Sequence, residues 1–338
     1  GVWGAVFGVS MALGPILGGT LVSFVDWRAI FWVNIPVGLI AILLTLRFIP
    51  ESKAPRPRRF DPVGQVLVLV MLASVTYGII EGPNLGWSST VILGAFSASA
   101  LSLAGLVFYE PRRGEPLIDL RFFRSIPFSS SIVILIAAFA AFGGFLFLST
   151  LYLQEVRDLS PVHAGLVTVP MAMMLVAFSP ISGRMVGRRG PRLPLLISGV
   201  CSVVACVMLT GLDEGTSYTW LIAAYVVFGI GMGFVNAPVT NAAVSGMPRA
   251  QAGVASAIAT TSRQFGQTIG VAVIGAIVAS GAGGTVSAEL TSASVPAWWT
   301  LAAFGVAVLI FGLIATSRRA ERSAHRTATA LNPEALAE

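Results

Sequence analysis

Four polar side chains set the chemistry open to this chain. Ser256, Thr260, Arg263 and Gln267 recur at spacings of 4, 3 and 4 residues in a stretch whose other faces are largely Ala, Ile, Val and Gly. Those spacings put all four on one face of a helix. Such a stripe faces protein or a water-filled path, and what it offers is recognition: a guanidinium, an amide and two hydroxyls in line. An Arg deep inside an apolar span costs about 2.5–3.5 kcal/mol on insertion scales unless it is paired or hydrated. Arg263 is therefore either a pathway residue or one that snorkels to the nearer membrane face. Asn236, Thr240 and Asn241, beside Pro238 and after Gly229, Gly231 and Gly233, could line the same cavity or serve as hydrogen-bond glue between helices.

The elements that must carry these residues are membrane spans. With 55% hydrophobic residues, 11% charged residues and a mean hydropathy of +0.84, the chain lies outside the soluble range. Ten apolar stretches long enough to cross a bilayer run over about 3–25, 29–49, 62–81, 90–109, 128–153, 162–183, 193–212, 219–242, 253–280 and 297–317. The fold class is an all-α polytopic membrane protein. Counting connections alternately, 18 of the 21 cations fall on one side, only Arg28 and Arg157 on the other, and Arg263 inside a span. The positive-inside rule then makes the rich side cytoplasmic, including the C-terminus, in a bacterial plasma membrane. Asp26, Glu81, Glu155, Asp158, Asp213, Glu214 and Glu289 lean to the opposite side, and none of the fifteen carboxylates lies at mid-span.

Several functions are excluded. A pI near 10 suggests nucleic acid, but such binders gather their cations on a solvated face and lack apolar spans, so no nucleic-acid partner is expected. The only Lys, Lys53, stands between Ser52 and Ala54, where no phosphate-binding loop can use it. Cys201 and Cys206 lie five apart on one span and do not face each other. No intramembrane His, Asp or Glu cluster supplies metal or acid/base chemistry, so the chain is not read as an enzyme, and no cofactor is expected.

Three strings carry a family resemblance. The first span holds Gly8, Gly14, Pro15, Gly18 and Gly19 in GVSMALGPILGGTLV, followed by DWRAIFWVNIPVG with Asp26, Trp27, Arg28, Phe31, Asn34 and Pro36. This resembles the antiporter signature on the fifth span of major facilitator drug:proton antiporters, in particular their fourteen-span branch. GRMVGRRGPR, with Gly183, Arg184, Arg188, Arg189 and Gly190, is similar to that family's cytoplasmic loop, with Gly187 where the pattern carries Asp. GVASAIATTSRQFGQTIGVAVIG, from Gly253 to Gly275, resembles the fifth span of the second half. Gln154 in LYLQEVRDLSPVHAGL and the segment PLIDLRFFR also match the family's wording.

The resemblance implies a major facilitator fold with ten of a probable fourteen helices. Residues 1–49 would be the last two spans of a first bundle, 50–127 a two-span insert with flanking cytoplasmic loops, 128–317 a six-span second bundle, and 318–338 a disordered cytoplasmic tail. It implies export of amphipathic small molecules in exchange for protons, Gly8, Gly14, Pro15, Gly18 and Gly19 sealing the outer mouth, and Gly183–Gly190 forming a gating loop. Four earlier spans would then be missing partners and would hold the coupling carboxylate. A siderophore, lipid-precursor or self-made-antibiotic exporter, or an inactive truncated remnant, shares every one of these motifs.

Overall fold

The computed structural model describes residues 2–51, 61–114, 116–244, 252–281 and 288–331. Lys53, Arg56, Arg58, Arg59 and Arg249 lie outside them. Among the described residues every regular element is helical. Three helices come first, α1 (Val2–Phe24), α2 (Ala29–Trp32) and α3 (Asn34–Phe48). A hairpin follows, α4 (Pro62–Leu85) and α5 (Thr90–Tyr109), and then the bundle α6 (Ile126–Leu151), α7 (Pro161–Arg189), α8 (Arg192–Met208), α9 (Tyr218–Gly233), α10 (Asn236–Val244), α11 (Ala252–Gly281) and α12 (Ala288–Ala315), ending in α13 (Arg318–Leu331).

Local signals start these helices. Asp61 accepts from the Gly64 amide at 3.0 Å with Pro62 in the first turn of α4, and Ser160 does the same for His163 ahead of Pro161 and α7. Ser89 and Ser217 cap α5 and α9. Each pairs a side-chain acceptor with an otherwise orphaned helix amide.

The bundle is organised around α6, whose Ala137, Ala138, Ala140, Ala141, Gly143 and Gly144 are buried and small. Small residues let α11 and α12 approach it closely. Beyond them α12 packs on α8, α8 on α9, α9 on α7, and α7 on α1, while α4 carries α5 and lies along α11. Phe145 of α6 stacks on Phe228 at 3.9 Å between centroids and meets Trp298 edge-on at 5.6 Å, joining three helices at the centre.

The outward surface is apolar. Leu101 is 72% exposed and Leu46 78%, and α3 buries no residue. Water-soluble monomers rarely show such patches; lipid accommodates them. Seven helical stretches among the described residues are long and apolar enough to cross a membrane, from Ala29–Phe48 to Leu290–Ala315, and Arg192–Met208 is a shorter apolar helix.

Two expectations are corrected. The tail is not wholly disordered: Arg318–Leu331 forms a helix with Ala320, Ala324 and Thr327 buried and with Ser323 Oγ accepting from the Ile126 amide at 2.9 Å. Small residues at helical spacing give it a face that lies on α6, and its arginines take the other face. The expected span 219–242 stands as one apolar stretch, Tyr218–Ala243, with its helix interrupted between α9 and α10. Pro238 has no amide for the Phe234 carbonyl, which instead accepts from Ser182 Oγ at 3.4 Å. The expected gating loop is mostly helix, because α7 continues through Gly183, Arg184, Arg188 and Arg189. Cations in a last turn suit the helix dipole, and only Gly190, at φ 78°, turns the chain out.

Candidate functional site

The polar stripe of α11 is half-buried to exposed along its length, and the bundle's packing fixes where it points. Gly266 and Gly270 turn the face next to the stripe onto α6. A Cβ at Gly266 would lie 2.5 Å from the Ile136 carbonyl oxygen and 2.8 Å from Ile136 Cα, and one at Gly270 would strike the Ala140 carbonyl. From the other side, a Cβ at Gly143 would lie 2.6 Å from the Gln267 carbonyl oxygen. Backbone meets backbone along this seam, so the rotation of α11 is set by glycine placement rather than by side-chain fit.

Arg263 is the stripe's focus. Its Nη2 donates to Thr240 Oγ1 of α10 at 3.0 Å, and its guanidinium carbon lies 5.9 Å from the centre of the Phe139 ring on α6. A cation held by a hydroxyl and an aromatic face thus sits where α6, α10 and α11 meet. Gln267, one turn on, lines a cavity of about 800 Å³ together with Gln264, Thr268, Phe147 and Ile80. Ser256 and Thr260 lie on the exposed side toward the start of α11, with the Thr260 hydroxyl donating to the Ser256 carbonyl at 3.0 Å. Asn241 is exposed beside Thr240.

Asn236 separates from this group. It is 5% exposed, and neither amide atom has a hydrogen-bond partner among the described residues. The glycines before it pack closely: Gly229 against the Met171 carbonyl, Gly231 near the Ser198 carbonyl and Gly233 near Phe178. The Gly229–Gly233 run thus seats α9 between α7 and α8.

The first-span glycines divide into two sets. A Cβ at Gly8 would come 2.7 Å from Leu175 and Val176 side-chain atoms of α7, and one at Gly19 would come 3.0 Å from the Pro161 backbone, whereas Gly14 and Gly18 have nothing within 4 Å among the described residues. The Pro15 side chain lies outside those described. Gly18, Gly19 and Gln154 line one cavity of about 400 Å³ between α1, α6 and α7, which brings two separately noted strings together at the Arg-poor end. There α6 closes in a π-helical turn, Tyr152–Val156. The Tyr152 hydroxyl donates to the Asp213 carbonyl at 2.7 Å and accepts from Arg157 at 3.4 Å, while Arg157 also donates to the Thr216 carbonyl at 2.5 Å; the bond to Tyr152 holds Arg157 above the ordinary guanidinium value.

Sequence reasoning missed a cluster at the Arg-rich end. Asp61 is 3% exposed, accepts from the Tyr109 hydroxyl at 3.3 Å and lies 3.7 Å from Arg113 Nε, while Glu110 beside it is 1% exposed. Asp61 directly before Pro62 could have been read as a helix cap. Glu110 looked like an ordinary loop charge, because its burial depends on residues 117–123 folding over it.

Residues 1–271 match the family model described as Major Facilitator Superfamily. The chain is similar to the Multidrug resistance protein Stp of Mycobacterium tuberculosis, 35% identical over 293 residues that cover 87% of this chain and 54% of that protein. It is 34% identical to the Tetracenomycin C resistance and export protein of Streptomyces glaucescens, covering 88% of this chain and 55% of the relative. It is 32% identical to the Multidrug efflux pump LfrA of Mycolicibacterium smegmatis, covering 82% and 55%. The chain spans about half the length of the curated relatives it matches.

Proposed function

We propose, from the premise that this chain belongs to the Major Facilitator Superfamily, that the protein is a secondary active transporter exporting drugs or other amphipathic small molecules in exchange for protons. It is a multi-pass bacterial membrane protein, and the reading makes it a transporter rather than an enzyme. The names of its relatives, a multidrug resistance protein and a multidrug efflux pump, support the substrate class. The distribution of cations supports a cytoplasmic C-terminus.

The single observation that carries the reading is Arg263, held by Thr240 and Phe139 in the wall of an otherwise apolar bundle. In this fold two bundles rock about a site near the bilayer midplane. The α11 stripe supplies substrate contacts from the second bundle. The contacts of Gly8 and Gly19 with α7 form the seam that seals the Arg-poor end, and the last turn of α7 with Gly190 forms the cytoplasmic counterpart. Residues 1–49 then contribute two spans of the first bundle, 50–127 a two-span insert and 128–317 the second bundle, ten spans in all. The gradient enters through a carboxylate elsewhere in the pathway.

A second reading, export of one natural product, draws support from the relative named for tetracenomycin C resistance and export. A substrate screen separates the two, since a multidrug exporter acts on unrelated amphipathic compounds.

The test is efflux of a fluorescent hydrophobic cation such as ethidium from cells expressing the full reading frame. A hydrogen bond to a charged group is worth about 1.5–3 kcal/mol, so Arg263→Ala should slow efflux about 10- to 150-fold at unchanged membrane abundance, with Arg263→Lys intermediate. Unaltered efflux in Arg263→Ala would remove the residue from the pathway.

A further inference from the structure

We propose that a crevice at the Arg-rich end, walled by α4 and α5 on one side and α6 and α11 on the other, binds an amphipathic cation. Its ammonium head would meet Glu110 and its apolar body would fill the crevice. The cavity measures about 430 Å³, within the range of small-molecule sites. Its wall is apolar, with Met71, Leu106, Ile136 and Phe265 facing across it, and among the described residues Glu110 is the only ionisable one that lines it.

The charge balance of this corner leaves Glu110 short of a partner. Asp61 takes the available donors: the Gly64 amide at 3.0 Å, the Tyr109 hydroxyl at 3.3 Å and Arg113 at 3.7 Å. Arg113 also donates to the Tyr109 hydroxyl at 3.0 Å, which fixes it on the Asp61 side. Arg121 of the covering segment is chelated by Asp119 at 2.8 Å. Two carboxylates thus face one guanidinium, and both oxygens of Glu110 lack a well-formed hydrogen bond among the described residues. The backbone amides of Ile118 and Leu117 and, more weakly, the shared Arg113 charge are its favourable neighbours. A buried carboxylate in apolar surroundings is costly without a counter-charge, and a cation carried on an apolar body supplies both the charge and the wall contact. Anionic and neutral amphiphiles supply only the second.

The site is separate from the α11 stripe. The crevice uses Ile258, Ser262 and Phe265 of that helix, on the side of α11 turned away from the Arg263 stripe. Two sources offer the same chemistry, a soluble cationic amphiphile or the headgroup amine of phosphatidylethanolamine with its acyl chain in the crevice.

The test is photolabelling of the purified full-length protein in phosphatidylglycerol nanodiscs, followed by peptide mapping. The probes are a diazirine-bearing dodecyltrimethylammonium and, for comparison, a diazirine-bearing dodecanoate. The ammonium probe should label crevice residues such as Met71, Leu106 and Phe265 at least tenfold more than the carboxylate does. Glu110→Gln and the crevice-filling Ala257→Trp should each cut that labelling at least tenfold, while Arg263→Ala leaves it unchanged. Equal labelling by the two probes on the unaltered protein, a comparison that needs no variant to fold, would overturn the proposal. So would full labelling of a folded Glu110→Gln. Suppression in phosphatidylethanolamine nanodiscs would assign the site to the lipid amine, and undiminished labelling there to a soluble cation. Failure of Arg263→Ala to affect efflux would leave this result standing, so the two readings fail independently.

Discussion

The glycines that hold α11 against α6 give a quantitative test of how the stripe is positioned. Adding one methyl at Gly266 puts a carbon 2.5 Å from the Ile136 carbonyl oxygen and 3.0 Å from the Ile136 carbonyl carbon. These are backbone atoms of a neighbouring helix and cannot rotate aside. Ordinary contact begins at 3.4 Å, so the helices must separate locally by 0.9 Å, the difference between 3.4 Å and 2.5 Å. Overpacking of this kind costs about 1–3 kcal/mol. Gly270→Ala meets the Ala140 backbone in the same way. Gly275, on the same helix, has only Phe147 ring atoms at 3.7 and 3.8 Å, so Gly275→Ala should cost nothing at the seam. All three substitutions gain the same helix propensity, which cancels in the comparison. The assay is thermal unfolding of the purified protein, with ethidium efflux alongside. Gly266→Ala and Gly270→Ala should each lower the folded-to-unfolded ratio about 5- to 150-fold relative to Gly275→Ala and slow efflux because Arg263 and Gln267 shift with the helix. Three indistinguishable variants would refute the claim that backbone contact sets the rotation of α11.

Two further outcomes follow from single positions. Gly190 has φ 78° and open space around a Cβ, so Gly190→Ala should cost about 1–2 kcal/mol from backbone strain alone, whereas Gly187→Ala, also in open space but within α7, should not destabilise; thermal melts of the two separate strain from crowding. Ser323→Ala removes the acceptor for the Ile126 amide, a loss of about 1 kcal/mol, and should speed trypsin cleavage between Arg318 and Arg326 about fivefold. Unchanged cleavage would mean that α13 is held by its buried alanine face alone.

Legibility in the sequence followed the range of the interaction. Asp61–Pro62 and Ser160–Pro161 announce α4 and α7 because a cap and its proline act within one turn. The stripe from Ser256 to Gln267 shows itself through helical period. The partner of Arg263 does not, because Thr240 reaches it only after Pro238 interrupts the helix between α9 and α10. Nor does the division of the first-span glycines: which of Gly8, Gly14, Gly18 and Gly19 touches α7 depends on how α1 is rotated against it. The helix of residues 318–331 hides behind its arginines, since its buried residues are Ala320, Ala324 and Thr327, which carry little hydropathy. Glu110 is the plainest case, a loop-end carboxylate made interior by a segment that follows it in the chain.

The central claim, proton-driven export, is tested most directly in inverted membrane vesicles carrying the full reading frame. Ethidium uptake should rise with an acid-interior pH gradient and stop when nigericin collapses it. Uptake that persists without the gradient, or that needs ATP, would contradict the account.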